Sequence, residues 1–294
     1  MNKNQKNKLN KILSKVGDLN FKRRIIAMLD YLDIQDGEVI LDMGCGEGFY
    51  SMIFDQLHNC KVIAVDYDKA ILAMAGGWLE NSEKVSFEEG DICNLRFDDN
   101  YFDKILCTEV IEHIEDDTKA TKELYRVLKP GGILAVTVPN SNYPLVWDPF
   151  NKIREWLGFG HFDPLNGFWG GIWAHDHKRL YSPNSLKTLL QKAGFEVSNL
   201  GVLTHYGIPF NHLVLYIGKQ FYTSFPVPDS IKNSMEKFKW DARDDCVIEK
   251  ISIFSLLLNF GLKIMKWADH FNDRNFSLDT SSMAVMALAK KKNK

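Results

Sequence analysis

Between residues 38 and 138 the hydrophobic positions fall into short continuous runs rather than alternating ones. They are Val39-Ile40-Leu41, Val62-Ile63-Ala64-Val65, Ile105-Leu106 and Ile133-Leu134-Ala135-Val136. Runs of this kind suit strands buried on both faces. Helical patterns separate them, among them Asp68 to Asn81 and Thr118 to Leu128, the latter stopped by Pro130, Gly131 and Gly132. Strand and helix in alternation predict a mostly parallel sheet with helices on both sides, a doubly wound α/β fold.

Past Val138 the rhythm breaks. Residues 141–176 carry Trp147, Trp156, Trp169 and Trp173 among five glycines, which predicts an irregular lid rather than a regular element. These aromatics either wall an apolar acceptor pocket or pack the lid onto the sheet. Order returns with Ser182 as N-cap, Pro183 at the first helical position, Leu186, Leu189 and Leu190 on one face, and Gly194 as the stop. A strand near Phe195 to Leu203 follows. The segment 205–277 reads as a helical, apolar insertion, and Met283 to Ala289 as the last strand. No run of 18 apolar residues occurs, so no bilayer span is expected. Residues 251–268 come nearest, with one polar stripe of Ser252, Ser255, Asn259, Lys263 and Lys266; they are expected to pack in the core or in a homodimer, with a lipid interface as the alternative.

The chain thus divides into a basic helical segment (1–36), an α/β core (37–140), the aromatic lid (141–176), a returning helix and strand (177–204), the insertion (205–277), and a last strand with a basic tail (278–294). Charge sharpens this division. The formal net charge of −2 hides eight Lys or Arg against one acid in residues 1–24 and four Lys in 290–294, leaving about −13 on the body. So acidic a body argues against nucleic acid as a partner. The basic ends read as solvated tails, with anionic lipid or RNA as the other reading. Five cysteines without a CxxC pair, and no apolar leader, predict a reducing, cytoplasmic setting, with peripheral membrane contact left open.

The first strand ends in Asp42-Met43-Gly44-Cys45-Gly46-Glu47-Gly48, a glycine-rich turn over which backbone can approach a ligand. A dinucleotide fold uses a similar turn, but its third glycine would fall at Phe49. Charge decides further. An acid two residues before the first glycine repels a pyrophosphate and attracts a cation, so Asp42 favours S-adenosylmethionine, which brings an ammonium and a sulfonium. Asp66, ending the second strand, is placed for ribose hydroxyls. After the third, Gly90-Asp91-Ile92 offers a carboxylate for the adenine amino group and an apolar side chain for the ring. Cys45, Tyr67 and Thr108 complete the expected cofactor-binding set.

These stretches, VILDMGCGEGFYS, KVIAVDYD, EEGDI, CTEVIEHI and LKPGGILAVTVPN, resemble the successive motifs of class I methyltransferases, the type 11 and quinone O-methyltransferase-like group most closely. The likeness covers about 37–140 and resumes at HKRLYSPNSLKTLLQKAGFEV, leaving 141–174 and 205–276 unmatched. It implies a seven-stranded Rossmann-like sheet with its last strand antiparallel, and S-adenosylmethionine-dependent methyl transfer.

The sulfonium is already a good leaving group, so the protein mainly aligns the acceptor and removes its proton. Candidates just after the fourth strand are Glu109, Glu112 and His113, whose i, i+3, i+4 spacing shares one face if the stretch is helical. Two carboxylates and an imidazole suit a divalent cation such as Mg²⁺, Mn²⁺ or Zn²⁺. EVIEH with a later histidine is also similar to the metal-binding motif of small-RNA 2′-O-methyltransferases and of some quinone-ring O-methyltransferases, with His175 and His177 as the available later ligands. The plainer reading is that Glu112 and His113 satisfy one another, with His113 as a general base. The expectation is O-methylation of a small or lipid-like acceptor; the alternatives are an RNA or protein acceptor with metal assistance, and a cofactor-binding scaffold without turnover.

Overall fold

The computed structural model describes residues 1–162, 171–206 and 269–293, apart from 15, 17 and 275, together with 263 and 267. The strands are β1 (Val39–Met43), β2 (Lys61–Asp66), β3 (Val85–Glu89), β4 (Phe102–Thr108), β5 (Leu128–Pro139), β6 (Glu196–Leu203) and β7 (Ala284–Lys290). They form one sheet in the order β3-β2-β1-β4-β5-β7-β6. Pairing is parallel from β3 to β5, and β7 runs antiparallel to both its neighbours. This is the expected seven-stranded sheet, with its last strand reversed.

The helices are α1 (Lys3–Leu13), α2 (Leu19–Leu32), α3 (Phe49–Leu57), α4 (Lys69–Trp78), α5 (Asp117–Val127), α6 (Pro149–Trp156) and α7 (Pro183–Ala193). Successive residues of a strand face opposite sides, so each continuous apolar run feeds two layers. Ile40, Val62, Leu106 and Ala135 meet Ile25, Met28 and Leu32 of α2 and Ile53 and Phe54 of α3. Leu41, Ile63, Ile105 and Leu134 meet Leu124 and Val127 of α5 and Leu186 and Leu190 of α7.

Helix ends follow local chemistry. The Ser182 hydroxyl accepts from Ser185 N at the start of α7, and Gly194 closes it in the left-handed region. At the end of α5 the chain passes directly into β5, so Pro130, Gly131 and Gly132 lie within that strand.

The described part of the lid, residues 141–162 and 171–176, is more ordered than its composition predicts. Its aromatic and glycine content masks α6, which starts where the Asp148 carboxylate accepts from Asn151 N and Pro149 takes the first position. The basic ends are likewise not simply solvated tails. Lys291 is 9% exposed and donates to Tyr125 O at 2.7 Å, and the Arg23 side chain binds Asp269 and Asp273. The aromatics Phe168 and Trp169, the stretch 207–262 and most of the 251–268 helix lie outside the described residues. Among the described residues no helix is long and apolar enough to cross a membrane.

Candidate active site

Three turns at the carboxyl ends of β1, β2 and β3 are locked to one another. Gly44 N and Cys45 N both donate to Val65 O, at 2.7 and 3.1 Å, and Gly90 N donates to Asp66 O at 3.0 Å. Gly44 has φ +70°, and a Cβ there would run into the Val110 side chain, so this position requires glycine. At Gly46 an added Cβ would meet nothing within 4 Å, which leaves the backbone of the turn open toward a ligand.

Asp66 accepts Gly46 N on one oxygen at 2.9 Å and Asp68 N on the other at 3.1 Å. Each carboxylate oxygen keeps further acceptor capacity for a hydroxyl. Tyr67 beside it is 81% exposed. Asp91 is exposed, held by a bond from Cys93 N at 2.8 Å. Ile92, by contrast, is buried among Leu95, Phe102 and Leu124, so its side chain belongs to the core. Cys45 is buried and Thr108 half-buried.

Asp42 lies beneath the turn, where its carboxylate accepts the Ser51 hydroxyl at 2.6 Å. Burial pushes its carboxyl up to about 6, against the Ser51 bonds that favour the charged form.

Beyond β4 the backbone does not continue as an α-helix. Glu109 sits at φ +55° and only Ile111–His113 make a 3-10 turn. The three predicted side chains therefore do not share one face. Glu109 turns to Arg24, whose Nη1 lies 2.9 Å from its Oε2, and accepts the Thr137 hydroxyl at 3.0 Å. Glu112 and His113 meet His177 instead.

His177 is brought there by a backbone clip. Lys178 N donates to Glu112 O at 2.8 Å, and Arg179 donates to Ile114 O and Glu115 O, both at 2.9 Å. The Nε2 atoms of His113 and His177 lie 3.8 and 4.0 Å from Glu112 Oε1, with the rings 4.6 Å apart. Ligand atoms of all three residues fall within 4.8 Å of one another. Glu112 is fully buried, and neither carboxylate oxygen has a hydrogen-bond partner among the described residues. Burial, then Glu109, drives its carboxyl well above the ordinary range. The Nδ1 of His177 is 2.6 Å from Ile172 O, which fixes the proton there and leaves Nε2 directed at Glu112. The side chain of His175 lies outside the described residues.

Sequence reasoning passes over the residues that support this arrangement. Asp148 is fully buried and accepts Asn151 Nδ2 at 2.8 Å and Ile172 N at 2.9 Å, tying α6 to the segment that presents His177. Gly171 backs against the Asp148 carboxylate. Arg24 was legible only as one of eight basic residues, although it lies one helical turn from the buried Met28.

The sheet order and the glycine-rich turn after β1 are similar to those of class I S-adenosylmethionine-dependent methyltransferases. Residues 41–136 match the family described as a methyltransferase domain. It is 31% identical over 173 residues to a Mycolicibacterium smegmatis protein named "Probable S-adenosylmethionine-dependent methyltransferase/", a match covering 58% of each. It is 26% identical over 208 residues to the ubiquinone/menaquinone biosynthesis C-methyltransferase UbiE of Haemophilus ducreyi, covering 66% of this chain and 76% of that one. The structure of Haemonchus contortus phosphoethanolamine N-methyltransferase 2 in complex with S-adenosyl-L-methionine superposes with a TM-score of 0.54 at 18% identity, over 92% of this chain and 52% of that one. That likeness is one of fold.

Proposed function

We propose that this protein transfers the methyl group of S-adenosylmethionine to an oxygen of a small or lipid-like acceptor. The observation that carries the reading is the buried Glu112 carboxyl faced by two imidazoles just past β4. Asp66 and Asp91 would hold the ribose and adenine, and Asp42 would supply negative charge under the sulfonium end. The donor needs no activation, so the remaining demand is a place for the acceptor's proton.

Glu112, His113 and His177 meet that demand in either of two ways. As a proton-accepting group, one imidazole takes the hydroxyl proton beside the buried Glu112 carboxyl. As ligands, a buried carboxylate without a hydrogen bond and a histidine anchored through Nδ1 fit a divalent cation, which would lower the pKa of an acceptor hydroxyl when bound. Glu109, already held by Arg24 and Thr137, stays at the donor end. The UbiE relative is named for C-methylation, and the same cluster would serve a carbon acid, so carbon is the second reading.

Incubation with methyl-labelled donor and fractionated extract tests the proposal. Label on oxygen in a small or lipid fraction supports it, and label confined to RNA or protein overturns it.

A further inference from the structure

Helix α6 is built with its polar side inward. Asn151 is fully buried and donates from Nδ2 to the equally buried Asp148 carboxylate at 2.8 Å, while Glu155 accepts the Trp173 indole Nε1 at 3.0 Å. A surface helix normally does the reverse and turns its apolar stripe to the core. At about 100° per residue, Asn151 and Glu155 share one side, and Trp156, Ile153, Leu157 and Phe150 fill an arc of about 120° on the other. That arc is open: Trp156 and Leu157 are 67% and 65% exposed, and Ile153 and Phe150 are exposed with them.

The chain on either side extends the same surface. Leu145 and Val146 precede α6 and Phe159 follows it, all three exposed. A contiguous run of large apolar side chains in water marks a docking face.

Its chemistry selects the occupant. Lys152 borders the arc on the Trp156 side and Arg154 on the Phe150 side, both half-buried. The Lys152 ammonium lies 4.1 Å from the centre of the Tyr143 ring and the Arg154 guanidinium 4.4 Å from that of Phe162. The acids of this stretch are committed elsewhere, Asp148 beneath the helix and Glu155 on Trp173. An apolar arc rich in aromatic residues, with a cation on each flank, is the composition of a helix lying in a lipid interface. A protein partner calls for about one directed hydrogen bond per 100–200 Å², and the side chains of the arc offer only the Trp156 indole. A bilayer asks for apolar contact and for cations at the level of its headgroups.

We propose that α6 and its flanking residues 145–159 dock in the surface of a lipid bilayer with anionic headgroups, Trp156, Leu157 and Phe159 entering the acyl boundary and Lys152 and Arg154 meeting the phosphates. This goes beyond the proposed reaction, and docking is read without turnover. The docked face belongs to the segment that presents His177: Asp148 accepts Ile172 N at 2.9 Å, and Ile172 O holds Nδ1 of His177. On the acceptor reading given above, a lipid-borne acceptor thereby reaches Glu112 and the two imidazoles at the membrane surface.

Flotation of the full chain with vesicles of equal parts phosphatidylcholine and phosphatidylglycerol, beside vesicles of phosphatidylcholine alone, tests this. The intact chain should float with the mixed vesicles and bind the neutral ones several-fold more weakly. Trp156→Gln combined with Leu157→Gln should lose binding to both by about 10-fold or more, with the melting temperature unchanged. Lys152→Gln should lose several-fold on the mixed vesicles alone. No flotation of the intact chain, or equal flotation of the double variant, overturns the inference. So does a dimer in sedimentation that the double variant breaks, which would give the face to a second copy. Early unfolding of the double variant overturns it too, by placing these side chains in the chain's own interior. None of these outcomes bears on methyl transfer to a small acceptor, which the labelled-donor experiment reads separately.

Discussion

The Nε2 of His177 lies 4.0 Å from Oε1 of Glu112, although 65 residues separate them in the chain. A carboxyl buried with no hydrogen-bond partner is costly to keep, by about 1–3 kcal/mol. Glu112→Met should therefore hold or raise the melting temperature while lowering turnover by about 100-fold or more. Thermal unfolding run beside methyl transfer checks both halves; a variant that unfolds early would show Glu112 to be part of the scaffold alone.

If the same three residues hold a cation, Mn²⁺ or Zn²⁺ should bind with release of protons, and His177→Ala should weaken that binding by about 10-fold or more. Calorimetry in two buffers of different ionisation enthalpy reads the proton release. Full turnover in the presence of a strong chelator would leave the cluster as a proton acceptor only.

Asp42 sets a pH dependence with two opposite signs. Its folded value of about 6 lies above the ordinary 3.8, so its contribution to stability is present below about pH 4 and is lost as pH rises through 6. Affinity for a cationic donor moves the other way, rising severalfold over that window as the carboxylate ionises. Asp42→Asn should flatten both curves. Because Ser51 favours the charged form, Ser51→Ala should move the binding midpoint upward.

Gly171 has φ +53°, and a Cβ there would collide with the Asp148 carboxylate. Gly171→Ala should cost about 2–3 kcal/mol and release the segment carrying Ile172 and His177. Faster proteolysis after α6, with turnover falling and donor affinity kept, is the expected pattern. An unchanged cleavage pattern would show that this clamp does not hold the lid.

What could be read in advance was local. The strands β1, β2, β4 and β5 were visible because each carries a continuous apolar run, and α7 because Ser182 and Gly194 carry its caps; Asp42, Asp66 and Asp91 could be placed near strand ends for the same local reason. The helix α6 was hidden by aromatic content, since its start depends on Asp148 meeting Asn151 and Ile172. The assumption of one helical face for Glu109, Glu112 and His113 failed because Glu109 adopts a left-handed conformation to reach Arg24. That pair spans most of the sheet's first half in sequence, and no periodicity reports it. The meeting of Glu112 with His177 depends likewise on Lys178 and Arg179 clipping onto the 111–115 turn.

The donor site itself is the claim on which the rest stands, and Asp66 is its most exposed point. Asp66→Ala removes the acceptor for Gly46 N and, on the proposed reading, the one for the ribose, so donor affinity should fall about 10-fold or more. The most direct measurement is a crystal structure of the chain soaked with S-adenosylmethionine in competition with NADH and ATP. The account predicts S-adenosylmethionine over Gly44 and Gly46 with its ribose hydroxyls on Asp66; a phosphate-bearing nucleotide lodged there, which the methyl donor cannot displace, would contradict it.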